Sequence, residues 1–276
     1  MNLNIVLKLR VTSMKHPFTL ATILWLSMIY TNETFSQKLI WSDEFDIDGL
    51  PNPTYWSYDV GDHGWGNNEL QYYTKGNQKN VRIVDGILII EAHADSSHSK
   101  GYTSARIVTK GQSAWQYGYI EVRAKLPEGT GTWPAIWMLP EENTFGGWPR
   151  SGEIDIMEHV GFDPGRVHGT VHTEAFNHSI GTQKGAQLMV PDFQNEFHTY
   201  AIDWSKDKID FFIDGEKYFT FENTGNGPKE WPFDQPFHLI LNIAVGGNWG
   251  GTNGVDPMIW PQRMEVDYIR VYDKKP

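Results

Sequence analysis

Apolar residues in this chain mostly recur at every second position, in short runs cut by glycine, proline and aspartate. A period of two marks strands with one face buried. Residues 39–45 read as a first strand and residues 56–60 as a short second one. Residues 81–84 and 87–92 are β-rich runs joined by Asp85-Gly86, a pair suited to a two-residue hairpin turn. Asp214-Gly215 repeats that signal between residues 208–213 and 216–221. Further strands are expected over 103–109, 115–126, 135–139, 166–173, 198–204, 237–245 and 262–271. In the run 115–126, Tyr117, Tyr119, Glu121, Arg123 and Lys125 share a face. Strict alternation in the final run sets Met264, Val266, Tyr268 and Arg270 against Glu265, Asp267, Ile269 and Val271. No long stretch has a helical period, and no repeat suggests a propeller. The pattern predicts an all-β chain, two packed sheets forming one domain.

One run breaks the rule that a strand's polar face is merely solvated. In Glu153-Ile154-Asp155-Ile156-Met157-Glu158, Glu153 and Asp155 alternate with isoleucines, and regular geometry would put Met157 next on the acidic face. Glu158 joins that face only if a β-bulge near Met157 absorbs one residue. Crowded like charges repel and raise one another's pKa, so a purely structural role fits poorly. Three readings remain at this point: acid/base or nucleophilic work on a glycosidic bond, calcium ligation, and a solvated acidic face of structural origin. A retaining glycosidase holds its two carboxyl groups about 5–5.5 Å apart and an inverting one about 6.5–9.5 Å. The spacing in sequence does not choose between them.

Composition narrows the class. The net charge of −11 disfavours nucleic acid and anionic membrane as partners. Residues 1–36 differ from the rest: Lys8, Arg10, Lys15 and His16 precede an apolar run from Phe18 to Tyr30, and Thr34-Phe35-Ser36 ends in a small residue. This reads as a secretory signal peptide, begun at Met1 or at Met14. The apolar run is short for a membrane span. Its removal takes away three basic residues and Glu33, leaving −13 and a mature domain of residues 37–276, secreted or periplasmic and expected to be monomeric. The absence of cysteine excludes disulfides and a thiolate nucleophile. Twelve tryptophans are more than a core alone requires, and several lie in glycine-rich stretches where they are candidates to hold sugar rings. The loop Gly61 to Leu70 is one such stretch, read as presenting Trp65, Asn67 and Glu69 to a ligand, with an ordinary turn as the alternative.

Gly-Glu-Ile-Asp-Ile-Met-Glu at 152–158, with Trp133-Pro134-Ala135-Ile136-Trp137-Met138-Leu139-Pro140 ahead and Val171-His172-Thr173 behind, resembles glycoside hydrolase family 16. The likeness is greatest to its bacterial laminarinases and runs from Trp41 to Tyr272. It implies a jelly-roll β-sandwich of two antiparallel sheets with a concave substrate cleft, and an endo-acting, retaining β-1,3-glucanase that uses no cofactor in catalysis. By the same resemblance Glu153 is the nucleophile, Glu158 the acid/base and Asp155 the assisting carboxylate. His172 is the histidine facing the acid/base from the neighbouring strand. Trp133, Trp137 and Trp148 are groove tryptophans, Asn67 and Arg106 contact sugar hydroxyls, and Trp249 is a further platform. Glu44, Gly86 and Asp267 match positions that hold a structural calcium. The implied partner is β-glucan, laminarin-type or mixed-linkage. Agarases, porphyranases and carrageenases share the bulged acidic spacing, so a galactan-cleaving enzyme and a non-catalytic glucan-binding module stay open as alternatives.

Overall fold

The computed structural model of the protein describes residues 37–276, which form one compact unit. The expected signal peptide, residues 1–36, lies outside the described residues. Seventeen strands fill two sheets: β1 (Leu39–Asp43), β2 (Ser57–Tyr58), β3 (Gln71–Tyr73), β4 (Val81–Val84), β5 (Ile87–Ala94), β6 (Tyr102–Ser104), β7 (Arg106–Val108), β8 (Gly118–Lys125), β9 (Thr132–Pro140), β10 (Glu153–His159), β11 (Arg166–His172), β12 (Lys184–Met189), β13 (His198–Trp204), β14 (Lys208–Ile213), β15 (Glu216–Glu222), β16 (Phe237–Val245) and β17 (Gln262–Tyr272). The cleft sheet has seven strands in the order β12-β11-β10-β9-β16-β7-β2. The back sheet has ten, ordered β15-β14-β13-β8-β17-β5-β6-β3, with β1 on β17 and β4 on β5. All pairings are antiparallel except β3 with β6. This is the expected jelly-roll sandwich. Among the described residues no helix is long and apolar enough to cross a membrane.

Each sheet buries one side chain in two. On β8, Ile120, Val122 and Ala124 are fully buried, while Glu121, Arg123 and Lys125 stand on the other face. Ile136, Met138, Ile154 and Met157 of the cleft sheet meet this layer from the opposite side and are equally inaccessible. Both aspartate-glycine pairs are hairpin turns. Asp85 and Gly86 have φ of 52° and 76°, and Asp214 and Gly215 have 50° and 77°, the two positive values a mirror-image turn requires.

Two expectations fail. The run 103–109 is not one strand: it breaks at Ala105, so that β6 joins the back sheet and β7 the cleft sheet. In β17 the register against β8 slips between Val266 and Tyr268. Asp267 is thereby bulged out, and the buried set changes phase from Met264 and Val266 to Ile269 and Val271. A bulge costs one unpaired residue but keeps every large apolar side chain in the core, which unbroken alternation would not.

The sandwich tolerates no side chain at Gly169 of β11. A Cβ there would stand 2.2 Å from Tyr218 Oη and 2.8 Å from Phe211 Cδ1. Gly169→Ala is expected to cost about 1–3 kcal/mol, read from the urea midpoint. Tyr218→Phe in the same chain should recover part of that loss, because it removes the nearest atom.

Candidate active site

Strand β10 presents its acids by means of one extra residue. Against β9, Asp155 pairs with Trp137 but Met157 pairs with Ile136; against β11, Asp155 pairs with Thr170 and Glu158 with His168. Ile156 and Met157 therefore absorb the extra position, and both are buried in the core. Glu153, Asp155 and Glu158 emerge on one face, in line with Trp137 and Ala135 of β9. The bulge sits where the acidic spacing required it.

Each glutamate is held by an indole. Trp148 Nε1 donates to Glu153 Oε2 at 2.8 Å, and Trp133 Nε1 donates to Glu158 Oε1 at 3.0 Å. Trp249 stands edge-on to Trp133 at 5.5 Å and to His168 at 4.9 Å, so three aromatic rings wall the Glu158 side. On the Glu153 side Trp148 lies 5.0 Å from the ring of His178. His172 departs from expectation. Its Nε2 is 3.3 Å from Asp155 Oδ2 and 3.7 Å from Glu153 Oε1, and its register partner is Glu153. It thus faces the expected nucleophile and the middle aspartate rather than the expected acid/base, because the bulge carries Glu158 one step along, opposite His168.

The remaining candidates gather on the other flank, over β9, β16 and β7. The Arg106 guanidinium lies 4.6 Å over the Trp137 ring and 4.8 Å over that of Trp65, and its Nε is 2.9 Å from Asp59 Oδ2. Arg106 is thus ion-paired and sandwiched between two indoles. Trp137 Nε1 donates to Asn242 Oδ1 at 2.7 Å. Asn67 is half-buried beside Glu69, and Glu69 is buried rather than presented to a ligand, contrary to the reading of this loop. Sequence reasoning missed Gln71, Tyr73 and Asn242. The signal for Asn242 was its position as a lone amide in the apolar run of β16.

A family model described as "Glycosyl hydrolases family 16" matches residues 63–270. The chain belongs to this family. It is 52% identical to a beta-glucanase of Rhodothermus marinus, with 96% of each chain aligned. The solved structure of the laminarinase from Rhodothermus marinus superposes with a TM-score of 0.85 at 55% identity, covering 87% of this chain and 98% of that one. A second solved relative is a mutant of SCLam, described as a non-specific endo-beta-1,3(4)-glucanase and co-crystallised with 1,3-beta-D-cellotriosyl-glucose. It matches with a TM-score of 0.83 at 48% identity, over 87% of this chain and 96% of its own.

The electrostatics are those of an acid cluster with one imidazole, His172, as its basic neighbour. Glu153, Asp155 and Glu158 are each pushed up to about 8, first by burial; for both glutamates the charge of Asp155 adds to the shift. His172 acts the other way on both glutamates, followed by the indole N–H of Trp148 on Glu153 and that of Trp133 on Glu158. Burial and mutual repulsion therefore hold protons in the cluster more firmly than in free carboxylates, and one of them is what general-acid work on a glycosidic oxygen needs, while the nucleophile must be the ionised member. Ligand atoms of Glu153, Asp155 and His172 lie within 4.8 Å of one another, but two carboxylates and an imidazole are not the all-oxygen set calcium prefers.

The expected calcium residues are engaged elsewhere. Both oxygens of Glu44 accept from Arg270, at 3.0 and 2.8 Å, and Asp267 pairs with Arg123. Gly86 is a hairpin-turn residue. A cation there must compete with two guanidinium groups.

A raised folded-state pKa ties the acid trio to stability. Groups that bind protons more tightly when folded stabilise fully below their unfolded pKa, near 4.5 for Glu, and lose that contribution as pH rises through about 8. Asp155→Asn should therefore gain about 1–3 kcal/mol over the native chain at pH 8, with little difference at pH 4. Melting curves at the two pH values read this directly; equal shifts at both would refute it.

Proposed function

We propose that the chain is an endo-acting, retaining glycoside hydrolase that cleaves β-1,3-glucosidic bonds in laminarin-type glucan, with mixed-linkage β-1,3-1,4-glucan as a second substrate. The observation that carries this reading is the bulged strand β10, with Glu153, Asp155 and Glu158 on one face between indole-bearing walls. Support also comes from relatives named as beta-glucanase, laminarinase and endo-beta-1,3(4)-glucanase, which the chain matches over nearly their whole length. Residues 37–276 are the catalytic domain in this reading, and residues 1–36 a signal peptide that makes the enzyme secreted or periplasmic.

In the first step Glu158 gives its proton to the glycosidic oxygen while Glu153 attacks the anomeric carbon. The bond to the leaving sugar breaks and an ester to Glu153 forms. Glu158, now ionised, takes a proton from water, and the water oxygen displaces Glu153. Asp155 and His172 hold the Glu153 carboxylate in position, His172 at 3.3 Å from Asp155 Oδ2. Trp65, Asn67, Arg106, Trp137 and Trp249 bind sugar rings on either side of the cleavage point. This chemistry needs no cofactor. Calcium at Glu44, Gly86 and Asp267 would be structural, and melting with chelator and then with added calcium decides between it and the arginine pairs.

A sulfated galactan would want free cations in the cleft; of the two candidates Arg106 is already committed to Asp59 and two indoles, which leaves the exposed Arg150. A binding module would have no need to bury three repelling carboxylates.

Glu153→Ala should abolish hydrolysis of laminarin with the melting transition retained; full activity would sink the assignment. Early products from long laminarin should be oligosaccharides of mixed length released as the β-anomer. Initial α-anomer would rule out retention, and glucose alone would rule out endo action.

A further inference from the structure

Glu69 is a buried carboxylate outside the acidic strand, 5% exposed, for which the reaction has no direct use. Both of its oxygens are occupied. Oε2 accepts from Gln71 Nε2 at 2.6 Å and from the Tyr73 hydroxyl at 3.4 Å, and Oε1 accepts from Asn67 Nδ2 at 3.4 Å. Gln71 Oε1 in turn accepts from the Val245 backbone N–H at 2.7 Å, fastening the loop to the end of β16.

The polarity of this network is fixed at both ends, by the acceptor-only carboxylate of Glu69 and the donor-only indole N–H of Trp137. An ionised carboxylate can only accept. The Tyr73 hydroxyl has a single proton, and spending it on Glu69 leaves a lone pair for Asn242 Nδ2, 3.0 Å away. With its amino group so engaged, Asn242 must turn its oxygen the other way, where it accepts from Trp137 Nε1 at 2.7 Å. Donor and acceptor roles are thus settled in sequence from Glu69 through Tyr73 and Asn242 to the indole of Trp137. Trp137 stands in register with Asp155 at the cleavage point. Arg106 covers one face of its ring, so the tilt of the indole determines what the cleft receives.

We propose that Glu69 is a positioning residue for sugar binding: as the acceptor-only end of this relay it holds Trp137 through Tyr73 and Asn242, and it holds Asn67 directly. The inference rests on the glucan-cleaving reading above. Glu69 touches neither the expected nucleophile nor the expected acid/base, so its influence falls on affinity rather than on bond breaking.

Glu69→Gln keeps the shape of the side chain but adds an amino group facing donors. It should raise KM for laminarin about tenfold, the loss of one well-made polar contact, with kcat within about twofold. Tyr73→Phe cuts the relay without touching Glu69 and should shift KM in the same direction. Trp137→Phe removes the indole N–H, and combining it with Glu69→Gln should raise KM by less than the product of the two single effects, since both act on one ring. An unchanged KM in both relay variants would overturn the proposal, as would a fall in kcat alone or a fully multiplicative double variant. A lowered melting temperature with native kinetics would also overturn it, by making the network structural only. The native chain in the same assay separates the two readings. No native turnover of laminarin defeats the glucanase reading, whereas native turnover with unaffected variants defeats only this inference.

Discussion

The structure depends on reconciling two demands on six residues of β10. Its inner face must fill the sandwich core, and its outer face must carry three acids that repel one another. Unbroken alternation meets only the first demand for part of the strand, since it would turn Met157 outward and Glu158 into the core. The bulge at Ile156 and Met157 buries both and returns Glu158 to the cleft. The neighbours then have no freedom. The registers with β9 and β11 set which tryptophan meets which glutamate, and a slip of one residue would exchange core and cleft faces along every strand in contact. The constraint reaches to Gly169, because β11 can lie beside the bulged strand only where nothing on it pushes against Tyr218 and Phe211.

Much of this was legible in the sequence, for identifiable reasons. The bulge in β10 could be read because a charged residue at its end is intolerable in a core, so the spacing of the acids leaves one solution. The bulge in β17 carries the same kind of signal. Met264 and Val266 are followed by Ile269 and Val271, a change of phase at Asp267. It escaped a reading that assumed unbroken alternation. The division of 103–109 between two sheets has only a weak local sign, Ala105, a poor strand former, between β-rich residues, and distant partners decide the break there. Strand β12 was missed because it is an edge strand with an exposed face and carries Gly185, whose Cβ would stand 2.6 Å from the Gly169 carbonyl oxygen. Its pairing supplies what its composition does not. In the site, the residue types that chemistry demands were found, whereas Tyr73 and Gln71 were not: buried partners have no signature apart from the group they serve.

Tryptophan has a double role here. A groove for sugars needs flat apolar faces, but it also encloses carboxylates that must be hydrogen-bonded. In the proposed function Trp133 and Trp148 meet both needs, since each gives its one N–H to a glutamate and keeps its ring for a sugar. An indole is neutral, so it satisfies a carboxylate oxygen without supplying the full charge that would lock the group in its ionised form. Trp137 spends its N–H on an amide instead, and there the network behind it ends in a carboxylate of its own.

The back sheet makes the contrast plain. On it several acids are answered by bases: Asp267 by Arg123, Glu265 by Lys125 and Arg263, Glu91 by Arg82 and His93, and beside the sheet Glu44 by Arg270. Although burial acts against it, the bonds to His93 and Arg82 bring Glu91 down to about 2, and Arg270 holds Glu44 below its ordinary value. On the cleft sheet the three acids of β10 have indoles and one imidazole for company, and they rise instead. Carboxylates of one chain thus move in opposite directions according to the charge on their partners. A lysine or arginine among the cleft acids would remove their mutual repulsion, but it would also fix them as anions, and a permanent anion has no proton to give to a glycosidic oxygen. Among the described residues no lysine or arginine pairs with the acids of β10, which suits the proposed chemistry, and the large apolar core between the sheets offsets the stability that their repulsion costs.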